Sequence, residues 1–225
     1  MNQHYNDAIN RIDMPMRFLK LPVDERGYPV PKFVQWVNGK PDFRCVDSRW
    51  LRRAVEFKLC WLCGEKLGCH FAFVIGPMCA INRINSEPPS HLECAKFAVR
   101  ACPFLAYPQR KRDTANYPQG SVPAPGIPIE RNPGTILIWI TKTYQLFKTQ
   151  RGTAPGGILF LLGEPIRWSW WHRGRPATRE EILSSINSGL PLLRKLAEEE
   201  GVDAITEFER QIARGMALVP GEEVV

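Results

Sequence analysis

The sequence predicts an α+β protein: a cysteine-rich module in the first half, then a small antiparallel sheet packed with C-terminal helices. Three observations carry this reading. Six of the seven cysteines fall between Cys45 and Cys94. Four short runs rich in aliphatic and aromatic residues crowd residues 135–172. Beyond Thr178 the chain is helical in pattern, opened by a T-x-x-E signature.

The elements follow in order. The first thirty residues, punctuated by Pro15, Pro22, Pro29 and Pro31, read as irregular. FVQWVNGKPDFRCV reads as a hairpin, because Asn38-Gly39 tolerates the positive φ angles of a type I′ turn. DSRWLRRAVEF reads as a helix capped at Asp47/Ser48, with Leu51, Ala54 and Val55 on one face and Arg49, Arg52 and Arg53 on the polar side. Residues 107–134, rich in Pro and Gly, form a loop or linker carrying Arg110-Lys111-Arg112. TILIWIT, TYQLFKTQ, GILFLLG and IRWSWWH then read as strands, spaced too closely for parallel crossovers and so arranged as an antiparallel meander. Gly189 and Pro191 are expected to break the helix that Thr178 opens, with further helices at about 191–200 and 203–215. The chain divides as 1–106, the 107–134 linker, and 135–225.

The 225 residues carry 30 Lys and Arg against 23 Asp and Glu, a net charge of +7. Residues 1–179 hold 26 bases and 13 acids, while residues 180–225 hold four bases and ten acids. That acidic segment reads either as a solvated helix face or as a tail lying over a basic groove. No apolar run reaches the ~18–20 residues of a membrane span, and the start, MNQHYNDAINR, has no signal-peptide core. The expectation is a cytoplasmic protein with no membrane association. Cysteines in such a compartment stay reduced, so their clustering points to a metal.

Cys60-Trp61-Leu62-Cys63-Gly64 has the form of a zinc knuckle: two thiolates face one ion across a tight turn, and the glycine permits the turn. Ser90 and Glu93 form an S-x-x-E box, which makes Ser90 the expected N-cap of a helix and places His91 and Cys94 together in its first turn. The expected ligands of a structural Zn²⁺ are therefore Cys60, Cys63, His91 and Cys94. Cys69, Cys79 and Cys102 stand as possible substitutes: Cys69 or Cys79 could replace one ligand, while Cys79 and Cys102 otherwise read as small apolar core residues. Four protein ligands leave no position for water, so the metal holds the fold and performs no chemistry.

A knuckle, an intervening hairpin and a helix supplying the last two ligands resemble the treble-clef zinc finger over residues 58–102. That family also scaffolds HNH-type nucleases, which the resemblance tests through His70 and Asn82. The helix continues Cys94-Ala95-Lys96-Phe97-Ala98 without the histidine a catalytic metal needs, so the resemblance stops short of an active site. VDERGYPVP, CWLCGEKLG, GPMCAINR and EPPSHLECAKFAVRACPFL together resemble uncharacterised zinc-containing proteins of bacterial and phage genomes. This implies a phage or mobile-element origin and no known activity.

Phosphate-binding GxxxxGK[ST], dinucleotide GxGxxG, HExxH and GxSxG motifs do not occur, so no catalytic residue is assigned. IRWSWWHRGRPATR reads either as a core strand under the C-terminal helices or as an aromatic–arginine surface for bases and phosphates. The functional expectation is a non-enzymatic protein binding nucleic acid through Arg49, Arg52, Arg53, Arg110, Lys111, Arg112, Trp171, Arg173 and Arg175. The alternative is an accessory or inhibitor acting on a host defence or regulatory protein complex.

Overall fold

The computed structural model describes residues 4–107, 111, 132–149 and 157–221. It is an α+β arrangement whose strands all pair antiparallel. Helix α1 (Asp7–Asn10) and a 3₁₀ turn at Met16–Lys20 give the first thirty residues more order than their prolines suggest. Ile9, Phe18, Leu21 and Val30 anchor this segment by burial. The hairpin β1 (Val34–Val37) and β2 (Lys40–Val46) turns at Asn38 and Gly39, with φ of 50° and 77°, as its turn chemistry requires. Helix α2 (Ser48–Phe57) is capped by Asp47, whose carboxylate accepts from the Arg49 and Trp50 N–H groups.

The central sheet has the order β3 (Phe71–Ile75), β5 (Ile136–Thr141), β8 (Pro165–His172), β9 (Arg175–Pro176). A second sheet has the order β4 (Ile84–Asn85), β7 (Gly157–Leu162), β6 (Tyr144–Thr149). The meander is therefore corrected: β5 does not pair with β6. Every residue of β5 is buried, so this strand is stable only with a partner on each edge and a layer on each face. Strands β3 and β8 supply the edges.

The pleat divides the two faces. Ala72, Ile136, Ile138 and Ile140 meet Ala95 and Val99 of α4 (Leu92–Ala101). Phe73, Leu137, Trp139 and Trp170 face the larger core, which includes Phe160, Ile182, Ile186 and Phe208. Segments 1–106 and 135–225 thus contribute strands to one sheet and side chains to one core.

The C-terminal helices depart from expectation. Beyond the short α5 (Pro103–Ala106), helix α6 runs unbroken from Arg179 to Glu200 with Pro191 inside it, followed by α7 (Val202–Met216). Both helices pack on α3 (Pro77–Asn82). Gly189 is buried at this contact; a Cβ there would come within 2.7 Å of the Met78 sulfur. The glycine thus serves close approach of two helices, and tertiary packing overrides a proline that in an isolated peptide would end the helix. The Thr178–Glu181 capping box forms as its sequence requires.

Candidate metal centre

Cys60, Cys63, His91 and Cys94 converge, with ligand atoms all within 4.8 Å of one another. Among the described residues they are the only cluster of this kind. Two structural segments bring them together, the knuckle turn and the entrance of α4. The knuckle turn 60–64 closes with the Gly64 N–H donating to the Cys60 carbonyl at 2.9 Å. Gly64 takes φ +83°, and its missing side chain leaves room for Lys32 and the Trp50 ring. The Trp61 N–H donates to the Pro89 carbonyl at 3.0 Å, tying the knuckle to the chain before α4.

The entrance to α4 differs from the sequence expectation. His91, not Ser90, is the N-cap, and no side chain caps this end. Ser90 is buried in a bridge to Ala72, each N–H donating to the other's carbonyl at 2.8 and 3.0 Å. Glu93 turns outward to Arg17. The bridge to β3 gives the Ser90 N–H the acceptor that a capping-box Glu93 would have supplied. The expected hairpin between knuckle and helix is also absent: β3, α3 and β4 occupy that interval, and β3 pairs with β5.

The sulfur of Cys60 accepts from two backbone donors, Cys63 N–H at 3.5 Å and His91 N–H at 3.4 Å. Burial opposes ionisation of Cys60, but hydrogen bonds from Cys63, Cys94 and His91 outweigh it and hold the thiol below its ordinary range. Hydrogen bonds to Cys60 and Cys63 push the His91 imidazole up to about 10, against burial. The same two cysteines, with burial, push the Cys94 thiol up. Without an ion the cluster must share protons; a divalent cation would replace them.

The imidazole is already oriented for an ion. Its Nε2 lies 3.1 Å from the Lys66 carbonyl, which can only accept, so Nε2 carries the proton. Nδ1, 3.4 Å from Cys63 Sγ and 3.9 Å from Cys94 Sγ, is then the nitrogen that would face an ion once its proton is displaced. A metal-binding histidine that donates its second nitrogen to a carbonyl is the usual outer support of such a site. Arg17 adds positive charge beside the cluster, paired with Glu65 at 2.7 Å and with Glu93. Neither Arg17 nor the Lys66 carbonyl was legible in the sequence. Arg17 reaches Glu93 from 76 positions away, and a backbone carbonyl has no residue signature.

The other cysteines stand outside the cluster. Cys69 is exposed, with Sγ 3.6 Å from His70 Nδ1. Burial pushes the Cys79 thiol up to about 11 and raises that of Cys102. His70 lies one residue before β3 and lines an open cleft of about 620 Å³ together with His91, Glu93 and Arg167. Asn82 is turned to its own backbone, accepting from the Ile84 N–H at 2.9 Å, and is not part of that cleft.

The basic residues are distributed over separate elements. Arg49, Arg52 and Arg53 are exposed on α2; Arg49 reaches Asp47 at 3.4 Å, and Arg53 lies over the Phe57 ring at 5.6 Å. Arg175 is held by Glu181 through two bonds of 2.6 and 3.0 Å, while Arg173 and Lys111 are exposed. Trp171 is half-buried against the α4 side of the sheet and donates to Ser169 Oγ at 2.9 Å. Trp168 and Trp170 both donate to the Leu218 carbonyl at 2.9 Å, so this strand does pack against the C-terminal end. Arg110 and Arg112 lie outside the described residues.

No family model, no curated protein and no solved structure matches the chain. Among the described residues no helix is long and apolar enough to cross a membrane.

Proposed function

We propose that the protein is a zinc-stabilised, non-enzymatic binding protein whose basic surface engages nucleic acid. Three thiolates and one imidazole suit Zn²⁺ in a closed tetrahedron, a structural site with no position for a reacting water. The knuckle followed by a helix carrying the last ligand supports a treble-clef reading of residues 58–102, with β3 and its bridge to Ser90 standing where the hairpin would be.

The observation that carries the nucleic-acid reading is the outer face of α2. Arg52 and Arg53 are exposed, one turn from Arg49, and pair with no carboxylate among the described residues. Exposed cations without acidic partners are free to neutralise phosphates. Arg175, bound to Glu181, has less to offer.

The test is a titration of labelled single-stranded DNA, duplex DNA and RNA at two salt concentrations. Affinity should fall steeply with salt, and Arg52→Ala/Arg53→Ala should reduce the log–log slope by about two, close to one per lost phosphate contact. Absence of binding at low salt would reject the reading. A protein partner retained from a nuclease-treated lysate, with no affinity for nucleic acid, would favour a role on a host protein complex instead.

A further inference from the structure

The outer face of α2 carries an aromatic ring as well as arginines. At about 100° per residue, Arg49, Arg52, Arg53, Glu56 and Phe57 fall on one arc of the helix surface, and all five are exposed. Ala54 is buried on the opposite side, with Trp50, Leu51 and Val55 half-buried around it. Arg49, Arg53 and Phe57 stand one turn apart in a row. The Arg53 guanidinium lies over the Phe57 ring, 5.6 Å from its centroid. Phe57 is nonetheless 48% exposed, which leaves ring surface open to a ligand.

The charges on this arc are ordered along the helix. The arginines occupy its first two turns, and the one acid of the arc, Glu56, sits beside Phe57 in the last. Phosphates are favoured at the arginine end and repelled next to Glu56. What suits the Phe57 end is flat, aromatic and uncharged. A lone exposed ring is ordinary on a protein surface; a ring in line with guanidinium groups is a stacking platform beside a phosphate track.

Resting on the nucleic-acid reading above, we propose that this face of α2 binds an unpaired polynucleotide strand, one base stacked on Phe57 and the neighbouring phosphates on Arg49, Arg52 and Arg53. Stacking on a side chain needs a base whose face is free. In a duplex each base lies between its neighbours, and an α-helix meets only groove edges and phosphates. In a single strand the face is open, and the Arg53 guanidinium over the ring adds a cation–π contact to the stack. Every base has a π face, so the site selects strandedness and not sequence.

Fluorescence anisotropy of labelled oligothymidylate, oligouridylate, a duplex of equal length and an abasic deoxyribose-phosphate oligomer, each titrated with the full chain, tests the proposal. Both single strands should bind about tenfold more tightly than the abasic oligomer, the size of one stacked base, and more tightly than the duplex. Phe57→Ala and Phe57→Leu should lower single-strand affinity to that of the abasic oligomer, with unchanged salt slope and far-ultraviolet circular dichroism. Phe57→Trp, which keeps a ring, should retain the preference. A chain that binds nucleic acid but takes the duplex as tightly as the single strands, or whose single-strand affinity survives Phe57→Ala, would overturn this assignment and leave the nucleic-acid reading standing. No binding of any oligomer at low salt would overturn both.

Discussion

Replacing Cys60 with serine should destabilise the whole chain, not the knuckle alone. Cys60 is fully buried and belongs to the same core cluster as Phe73, Trp139 and Ile182, so the centre cannot open without exposing the sheet and helices beyond it. A structural zinc contributes ~10–16 kcal/mol of apparent binding energy. Shared among four ligands, one is worth about 3 kcal/mol. The shorter serine oxygen also abandons the Cys63 and His91 N–H donors, which now reach the sulfur at 3.5 and 3.4 Å. Against a total stability of ~5–15 kcal/mol the loss is severe. At ~2–4 °C per kcal/mol for a chain of this size, Cys60→Ser should melt on the order of 10 °C lower. Cys102→Ser, outside the cluster, should lose about 1 kcal/mol. The assay is thermal denaturation in reducing buffer with elemental analysis on the same samples: about one zinc per wild-type chain, and less in Cys60→Ser. Equal melting of both variants and wild type, or a fully folded metal-free protein, would refute the reasoning.

Gly64→Ala forces a side chain into φ +83° and to 2.9 Å from Lys32 Cγ; the cost should be ~1–2 kcal/mol, read as a lower denaturation midpoint and weaker zinc retention under chelator. Gly215→Ala would place a Cβ 2.4 Å from Ile81 Cδ1 and 3.3 Å from its Cα, so separating α7 from α3 should cost ~1–3 kcal/mol in urea unfolding. The Arg175 hydrogen bonds hold the Glu181 carboxyl down to about 2 despite burial, helped by the Thr178 N–H and His172. An acid depressed by folding adds stability that is complete above its unfolded pKa of ~4.3 and lost as pH falls through the folded value. Glu181→Gln should therefore be about 1 kcal/mol less stable at neutral pH, with the difference from wild type vanishing between pH 5 and 2; a constant difference across that range would count against the assignment.

The sequence by itself determined features that depend on near neighbours. The Asn38-Gly39 turn, the Asp47 cap and the Thr178–Glu181 box each form because a side chain reaches a backbone group within a few residues. The C-x-x-C and H-x-x-C spacings were legible for the same reason: each pair lies within one turn, and only four residues of suitable type were so placed. Strand identity in residues 135–172 followed from β-rich composition, since β5 through β8 occupy the expected runs within a residue or two.

Only the tertiary structure decided partners. Composition marks β5 as a strand but does not say that β3, from before the 107–134 stretch, takes one of its edges while β6 turns away to β7. The Ser90 signature fits a capping box, yet pairing with Ala72 captured its backbone and moved the cap to His91. Pro191 and Gly189 carry a local preference of ~3 and ~1 kcal/mol against helix; burial of α6 against α3 and α7 overrides both. Local hydrogen bonds involve groups the chain holds close at no entropic cost, so residue type alone foretells them. Choices between distant partners are made by the burial of many side chains at once, a sum that no short stretch of sequence contains.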